Sequence, residues 1–260
     1  DNGMPFPYAK ANLQEYGTHV PLAISWPDRI KNFKKTDALV SMIDLAPTFL
    51  EIAGVQDIPE MTGKSITPIL YSEKTDKPIR EFVLTGRERH THARPDNLGY
   101  PARAIRTKEY LFVKNYRPDR WPAGDPVPVT KENDERSRVK GFRDLYPGYH
   151  DIDDSPSKTF MVENKEKEEV KKLFKKTFEK RSAEQLYDIK KDPECMYDLS
   201  HNPEYDKIRK DLRTRLDQEL KKQGDPRMFG SEIFDSYPRY SSMRNFEGFS
   251  KRGEYNREYE

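Results

Sequence analysis

Apolar residues in the second half of the chain recur with the period of amphipathic helices. Steps of three and four residues predict a helix that begins after Asn202, a suitable N-cap before Pro203, and that Gly224 ends. The same kind of stripe predicts a second helix over residues 166–180. Both helices have polar remainders, so each is expected to pack one face on a core.

Short apolar runs predict a small antiparallel sheet beside these helices. Three residues separate the second run from the third, which favours a hairpin. The predicted strands are residues 81–85, 102–106, 110–115 and 185–189. Residues 117–164 lack any period and are rich in Pro, Asp, Arg and Tyr, so they are expected to form a long, mostly irregular excursion.

The first part of the chain has the pattern of an α/β layer. An apolar run over residues 20–26, closed by Pro27, predicts a buried strand. A helix is predicted next, with Asp44 as its cap, Pro47 in its first turn and Gly54 at its end. A strand followed by a helix is typical of a layered α/β domain.

A shift towards charged residues and proline places a domain boundary near residues 76–78. A short helical turn is predicted before it, around residues 65–71. The predicted division is residues 1–77, part of an α/β domain, and residues 78–260, an antiparallel sheet with helices and the long loop.

The composition excludes several classes of function. The hydrophobic fraction is 34%, the charged fraction is 35% and the net charge is +2, which argues against a nucleic-acid partner. A locally basic groove for a sulfated sugar stays open. The single cysteine excludes an internal disulfide, and no run of about 18 apolar residues predicts a membrane span.

The densest chemistry lies in the first ten residues. Asp1 and Asn2 present two hard oxygen donors side by side, which suits Ca²⁺ or Mg²⁺. Lys10 follows and could contact an anion that the metal also holds. Asp-Asn-Gly is also an ordinary turn composition, and Lys10 could be a solvated lysine.

These residues and several later segments resemble the type I, formylglycine-dependent sulfatases of the alkaline-phosphatase superfamily, most of all the heparan N-sulfatase (sulfamidase) subgroup. The resemblance covers most of the chain and is weak over residues 117–183. Besides the first 22 residues, it rests on residues 41–48, 53–54, 63–65, 84–88, 104–107, 186–188 and 192–193.

The resemblance implies roles for residues of this chain. Asp1 and Asn2 match two ligands of a single Ca²⁺, and Lys10 matches a catalytic lysine or arginine on the sulfate. The implied substrate is a sulfate ester or sulfamate on a glycosaminoglycan, first N-sulfoglucosamine of heparan or heparin, with another sulfate position as the alternative. The implied location is periplasmic, secreted or lysosome-like.

The resemblance also implies a part that this chain does not contain. The formylglycine of these enzymes arises in a Cys/Ser-x-Pro-x-Arg segment, and Cys195 lacks the required Pro and Arg. The chain is therefore expected to be part of a longer protein, with the missing N-terminal half as its partner. Alone it is not expected to turn over substrate.

A loop over residues 86–96 is the second candidate. Its arginines suit carboxylates and sulfates of an acidic glycan, and Glu88 or Asp96 could accept sugar hydroxyls. We expect Glu88, Arg89 and His90 to bind substrate. His90 is preferred over His92 because sulfamidase-like members carry a histidine in this loop. A charged loop is also commonly just solvated.

The sequence leaves alternative roles and alternative functions open. Trp121 and Tyr116 could form a sugar-stacking wall or simply pack their loop. A phosphohydrolase of the same superfamily would hold two transition metals, against which the Asp1-Asn2 pair argues. A glycan-binding module without catalysis would need only the basic loop.

Overall fold

The computed structural model describes residues 3–31, 33–55, 60–72, 78–91, 93–94, 98–126, 145–146, 148–230 and 232–235. Its helices are α1 Glu15–Thr18, α2 Leu45–Ile52, α3 Thr67–Tyr71, α4 Pro156–Glu163, α5 Glu168–Phe178 and α6 Asp206–Lys222. Its strands are β1 Phe82–Arg87, β2 Ala102–Thr107, β3 Tyr110–Asn115 and β4 Glu184–Asp188. None of the helices in these ranges has the length and apolar character needed to cross a bilayer.

The four strands form one antiparallel sheet in the order β1-β2-β3-β4. The predicted hairpin is confirmed, with Ala104 opposite Val113 and Ile105 opposite Phe112. Each predicted strand lies within two residues of the observed one. The part of the chain after residue 77 therefore contains a small antiparallel sheet with helices, as the sequence predicted.

Alternation along the strands separates two cores. Ile105, Phe112 and Leu186 face α6, where they meet its buried leucines. Ala104 and Tyr187 face the other way and meet Tyr8, Leu13 and Cys195. The loop before α1 thus packs on the sheet face opposite α6, while the domain boundary after residue 77 stays a prediction.

The two long helices follow the predicted stripes. α6 buries Leu212, Leu216 and Leu220, and it begins after a 3-10 turn that Asn202 caps through Glu204 N–H at 3.1 Å. Gly224 follows its end with a φ of 71°. α5 likewise buries one apolar face, which confirms both amphipathic predictions.

Asp44 does not cap α2 as predicted. Its carboxylate instead accepts from the N–H of Ser41 and the N–H of Lys64, both at 2.8 Å, and pairs with Arg80. A carboxylate that is fully buried needs several donors. Here Ser41 is a local donor, in a capping box over the preceding 3-10 turn, while Lys64 and Arg80 are distant in sequence. The helix itself is present, with Pro47 in its first turn.

One other prediction about elements is wrong, and a second leaves out a helix. Residues 20–26 are not a buried strand: they have no ladder partner among the described residues, and Leu22 and Ile24 are 47% and 41% exposed. Within the loop predicted to be mostly irregular, α4 forms because Ser155 caps it through the N–H of Lys158 at 3.2 Å and Pro156 follows.

Candidate substrate-binding site

The loop that carries Lys10 is held in an uncommon backbone conformation. Tyr8 and Ala11 have φ values of 64° and 62°. For residues other than glycine this region costs about 1–3 kcal/mol each. The Tyr8 hydroxyl donates to the carbonyl of Cys195 at 2.9 Å, and its ring is buried against the sheet. These contacts fix the loop from which Lys10 projects.

The Lys10 ammonium forms an accessible ion pair. Its Nζ lies 3.0 Å from Oδ2 of Asp153, and the two side chains are 29% and 40% exposed. Pairs this exposed contribute little to stability. Lys10 can therefore exchange this carboxylate for an anionic ligand at small cost.

Residues 148–154, which carry the partner of Lys10, are fixed by a fully buried lysine. The Lys158 ammonium donates to the carbonyls of Gly148 at 2.8 Å and Ile152 at 3.3 Å, and pairs with Asp154 at 2.7 Å. A buried charge is tolerated only when it is well partnered. Lys158 therefore makes this segment a rigid support.

Asp151, in the same segment, is the centre of a buried charge cluster. Its Oδ2 lies 2.5 Å from Nη2 of Arg87 and also pairs with Arg94. Burial alone would raise the pKa of this carboxyl, but the charges of Arg94 and Arg87 hold the pKa well below its usual range. Both guanidinium groups also lie over the ring of Tyr100.

His90 reaches the same carboxylate from the solvent side. Its Nδ1 lies 3.5 Å from Oδ1 of Asp151, and its side chain is 29% exposed. A carboxylate beside Nδ1 favours the proton on that nitrogen, which leaves Nε2 to accept from a ligand. Asp151 can thus orient His90 while the two arginines hold Asp151.

Glu88 has a structural role in this arrangement. Its Oε1 lies 2.7 Å from Arg103 and its Oε2 lies 2.7 Å from Arg227. A sugar hydroxyl would have to compete with two guanidinium groups for these oxygens. The neighbouring Arg89 is partly buried. The expected roles of both residues in substrate binding stay predictions.

The two aromatic residues considered for sugar stacking contact different parts of the structure. Trp121 accepts a hydrogen bond at its carbonyl from Nε of Arg94 at 2.8 Å, and Lys180 lies over its ring. Tyr116 contacts the sulfur of Met228, and burial raises its pKa to about 12. Of the two, Trp121 is adjacent to the charge cluster.

Four residues considered from the sequence, Asp1, Asn2, His92 and Asp96, lie outside the described residues. Gly3, directly after the Asp-Asn pair, packs against α1. A Cβ on Gly3 would lie 2.0 Å from the carbonyl oxygen of Tyr16, so only glycine fits there. Among described residues, no group of three His, Cys, Asp or Glu could hold a metal.

Sequence reasoning missed Asp151, Asp153 and Lys158. All three lie in residues 117–164, where no period marks them. The one available signal was charge complementarity, since three aspartates within residues 151–154 have the opposite sign to the arginine-rich loop after β1. The structure brings that loop and Lys10 onto one segment, with His90 at Asp151 and Lys10 at Asp153.

Fold and site together define a small sheet-and-helix unit in which Lys10 and His90 lie beside two aspartates of one segment. The family model for the C-terminal part of N-sulphoglucosamine sulphohydrolase matches residues 7–135. An ulvan-active sulfatase of Formosa agariphila is 28% identical over 225 residues, which cover 86% of this chain and 32% of that protein.

Two further relatives match a shorter part of the chain. The N-sulphoglucosamine sulphohydrolase of Homo sapiens is 32% identical over 126 residues, covering 44% of this chain and 23% of that protein. An N-acetylglucosamine-6-O-sulfatase of Bacteroides thetaiotaomicron is 35% identical over 121 residues, covering 45% and 21%.

The family resemblance stated from the sequence is confirmed: the family model and these relatives match the chain as a C-terminal part of a sulfatase. The chain spans about a third, or less, of the length of these curated relatives.

Proposed function

We propose that this chain forms part of a sulfatase that hydrolyses a sulfate ester or sulfamate on a glycosaminoglycan-type sugar. One observation carries the proposal. Lys10 and His90 are far apart in sequence, yet both contact the rigid segment of residues 151–153. An accessible ammonium and an imidazole therefore lie beside two aspartates of one segment, Asp153 and Asp151.

Lys10 is proposed to bind the sulfate group. Its ammonium already holds a carboxylate at 3.0 Å, which shows that an anionic oxygen fits there. Sulfate would replace Asp153 and gain a point charge that stabilises negative charge as the bond to sulfur breaks. His90, through Nε2, would bind a sugar hydroxyl and fix the orientation of the ring.

The donor set of Asp1 and Asn2 fits Ca²⁺, which takes six to eight oxygen ligands from carboxylates, amides and water. When bound, the cation would neutralise charge on the sulfate. The close packing of Gly3 on Tyr16 holds the chain next to this pair. Two ligands are too few, so the remaining ones would come from another part of the protein.

The nucleophile is proposed to lie in an N-terminal part of the protein outside this chain, which the match to a C-terminal family model supports. Cys195 is fully buried, and burial raises the pKa of its thiol to about 12, so it is unsuited to that role. Several large apolar side chains in the first part of the chain are exposed, which supports packing against further structure. These side chains include Leu22, Ile24, Phe33, Met42, Ile43, Phe49 and Ile52.

The proposed substrate is N-sulfoglucosamine of heparan or heparin, supported by the family model and by the human relative. An O-sulfated sugar is the alternative, supported by the N-acetylglucosamine-6-O-sulfatase relative. A periplasmic, secreted or lysosome-like location goes with either substrate. Desulfation of N-sulfoglucosamine and of 6-O-sulfated N-acetylglucosamine by the whole protein decides between them.

Lys10→Ala in the whole protein tests the function, with Lys35→Ala, another exposed lysine of this chain, as the matched control. Loss of one charge-stabilising donor is expected to lower kcat/KM on the sulfated sugar about 100-fold or more. A loss below threefold in a folded protein that still binds the glycan more weakly would favour a binding module. A bound zinc pair in place of one Ca²⁺ would favour a phosphohydrolase.

A further inference from the structure

Three lysines, two on one side of α5 Glu168–Phe178 and one just after its end, each lie over an aromatic ring, and we call Lys172, Lys176 and Lys180 the α5 basic strip. The Nζ of Lys172 lies 4.0 Å from the ring centroid of Tyr197. The corresponding distance from Lys176 to Tyr187 is 4.5 Å. The distance from Lys180 to Trp121 is 5.2 Å.

Two of the three strip lysines lie on one face of the helix. Lys172 and Lys176 are one helical turn apart, which separates them by about 6 Å along the axis. Lys180 follows just after the end of α5 at Phe178. An ammonium over a ring face loses freedom before any ligand arrives, so less entropy remains to be lost on binding.

The strip concentrates positive charge that is not neutralised locally. Residues 165–181 contain eight basic and four acidic residues, whereas the whole chain has a net charge of only +2. Among described residues, Lys171 pairs with Glu168 on the same helix, but no carboxylate lies within ion-pair distance of the three strip lysines. A solvated helix face with its lysines near the C-terminal end is the ordinary explanation. It leaves Lys172, in the first half of α5, unexplained.

One end of the strip adjoins the candidate site. Trp121, under Lys180, accepts the hydrogen bond from Arg94, and Arg94 pairs with the Asp151 that faces His90. A glycan bound near His90 could therefore continue past Trp121 and along the strip lysines. We propose that the α5 basic strip binds neighbouring anionic sugars of a polymeric sulfated glycan, an inference that rests on the proposed function.

The physical basis is multivalent charge. A sulfated polysaccharide repeats its anionic groups along the chain, so one polymer can contact several lysines at once. A single sulfated sugar held at Lys10 cannot span the strip. Contacts between exposed charges are screened over about 10 Å at 0.1 M salt, so the contribution of the strip must fall as salt rises.

The test uses the whole protein with Lys172→Gln and Lys180→Gln combined, since both side chains are exposed and their removal spares the packed Lys176. Lys221→Gln with Lys222→Gln, two exposed lysines at the end of α6, is the control with the same charge change. Heparin and a sulfated monosaccharide are the probes. The readouts are heparin Kd against salt and the ratio of kcat/KM on the two substrates.

We expect the strip variant to weaken heparin binding about tenfold at low salt, with a shallower salt dependence, and to lower the polymer-to-monosaccharide ratio. The control variant should keep the Kd within about twofold. Equal effects of both variants, or an unchanged Kd, would overturn the proposal. If neither substrate is turned over, the Kd comparison still judges the strip separately from the proposed function.

Discussion

Removal of the Asp151 carboxylate is the sharpest test of how the site is supported. Asp151→Ala would leave Arg87 and Arg94 buried beside each other, with side chains only 7% and 3% exposed. Burial already lowers the pKa of Arg87 to about 10, which shows how poorly this environment tolerates the charge. Without Asp151 the two guanidinium groups would repel each other.

The expected cost is large. Breaking a buried ion pair by removing one partner destabilises a protein by about 3–5 kcal/mol. A typical domain has only about 5–15 kcal/mol of stability in total. By contrast, Asp153→Ala removes an exposed pair with Lys10 and should cost at most about 1 kcal/mol.

Urea denaturation of the two variants and the parent chain measures both costs in one assay. With an unchanged m value, the loss of stability appears as a lower midpoint for Asp151→Ala and almost none for Asp153→Ala. If the two variants lose the same free energy of unfolding, Asp151 is not the buried centre of the cluster.

The pH dependence gives an independent check with a definite sign. The pKa of Asp151 is lower in the folded chain than in the unfolded chain. Its stabilising contribution is therefore complete above the unfolded pKa of about 3.9 and is lost as pH falls below it. The difference between parent and Asp151→Ala should be constant from pH 7 to about 5 and should shrink in more acidic solution.

Two further predictions concern the core and the basic strip. Leu216→Ala, at a fully buried position between α6 and the sheet, should cost about 2–5 kcal/mol in the same denaturation assay, and a cost below 1 kcal/mol would contradict the packing. Lys176 should titrate near pH 8, because burial lowers its pKa although the nearby Asp198 and Asp192 raise it. An NMR titration of its side chain measures this pKa, and a midpoint near 10.5 would refute the prediction.

The periodic parts of the fold were predictable from sequence because their burial is local information. A strand such as β3 or a helix such as α6 repeats one burial pattern over several residues, so each position supports the others. The hairpin followed from the short connection between its two strands, predicted as three residues and observed as two, which leaves an antiparallel pairing as the simplest path. Helix caps were harder to predict, because a carboxylate such as Asp44 can accept from any donor close in space, including Arg80, which is distant in sequence.

The sequence predicted the exposed residues of the candidate site but not the residues that hold them in place. Lys10 and His90 stand out by residue type and family resemblance, but their supports do not. Arg87 and Asp151 are 64 residues apart in sequence, and no local pattern predicts that a particular aspartate of an irregular loop meets a particular arginine. Charge complementarity between the two loops narrows the choice without fixing the pair.

The failed strand at residues 20–26 shows what an apolar pattern measures. The run predicts that its side chains are buried somewhere, and it names a strand only if a neighbouring strand is present to complete the hydrogen bonds. Among the described residues the sheet has β1 and β4 at its edges, and residues 20–26 pair with neither. The exposed Leu22 and Ile24 are then the expected result of an apolar segment whose partner, on the proposed function, belongs to the rest of the sulfatase.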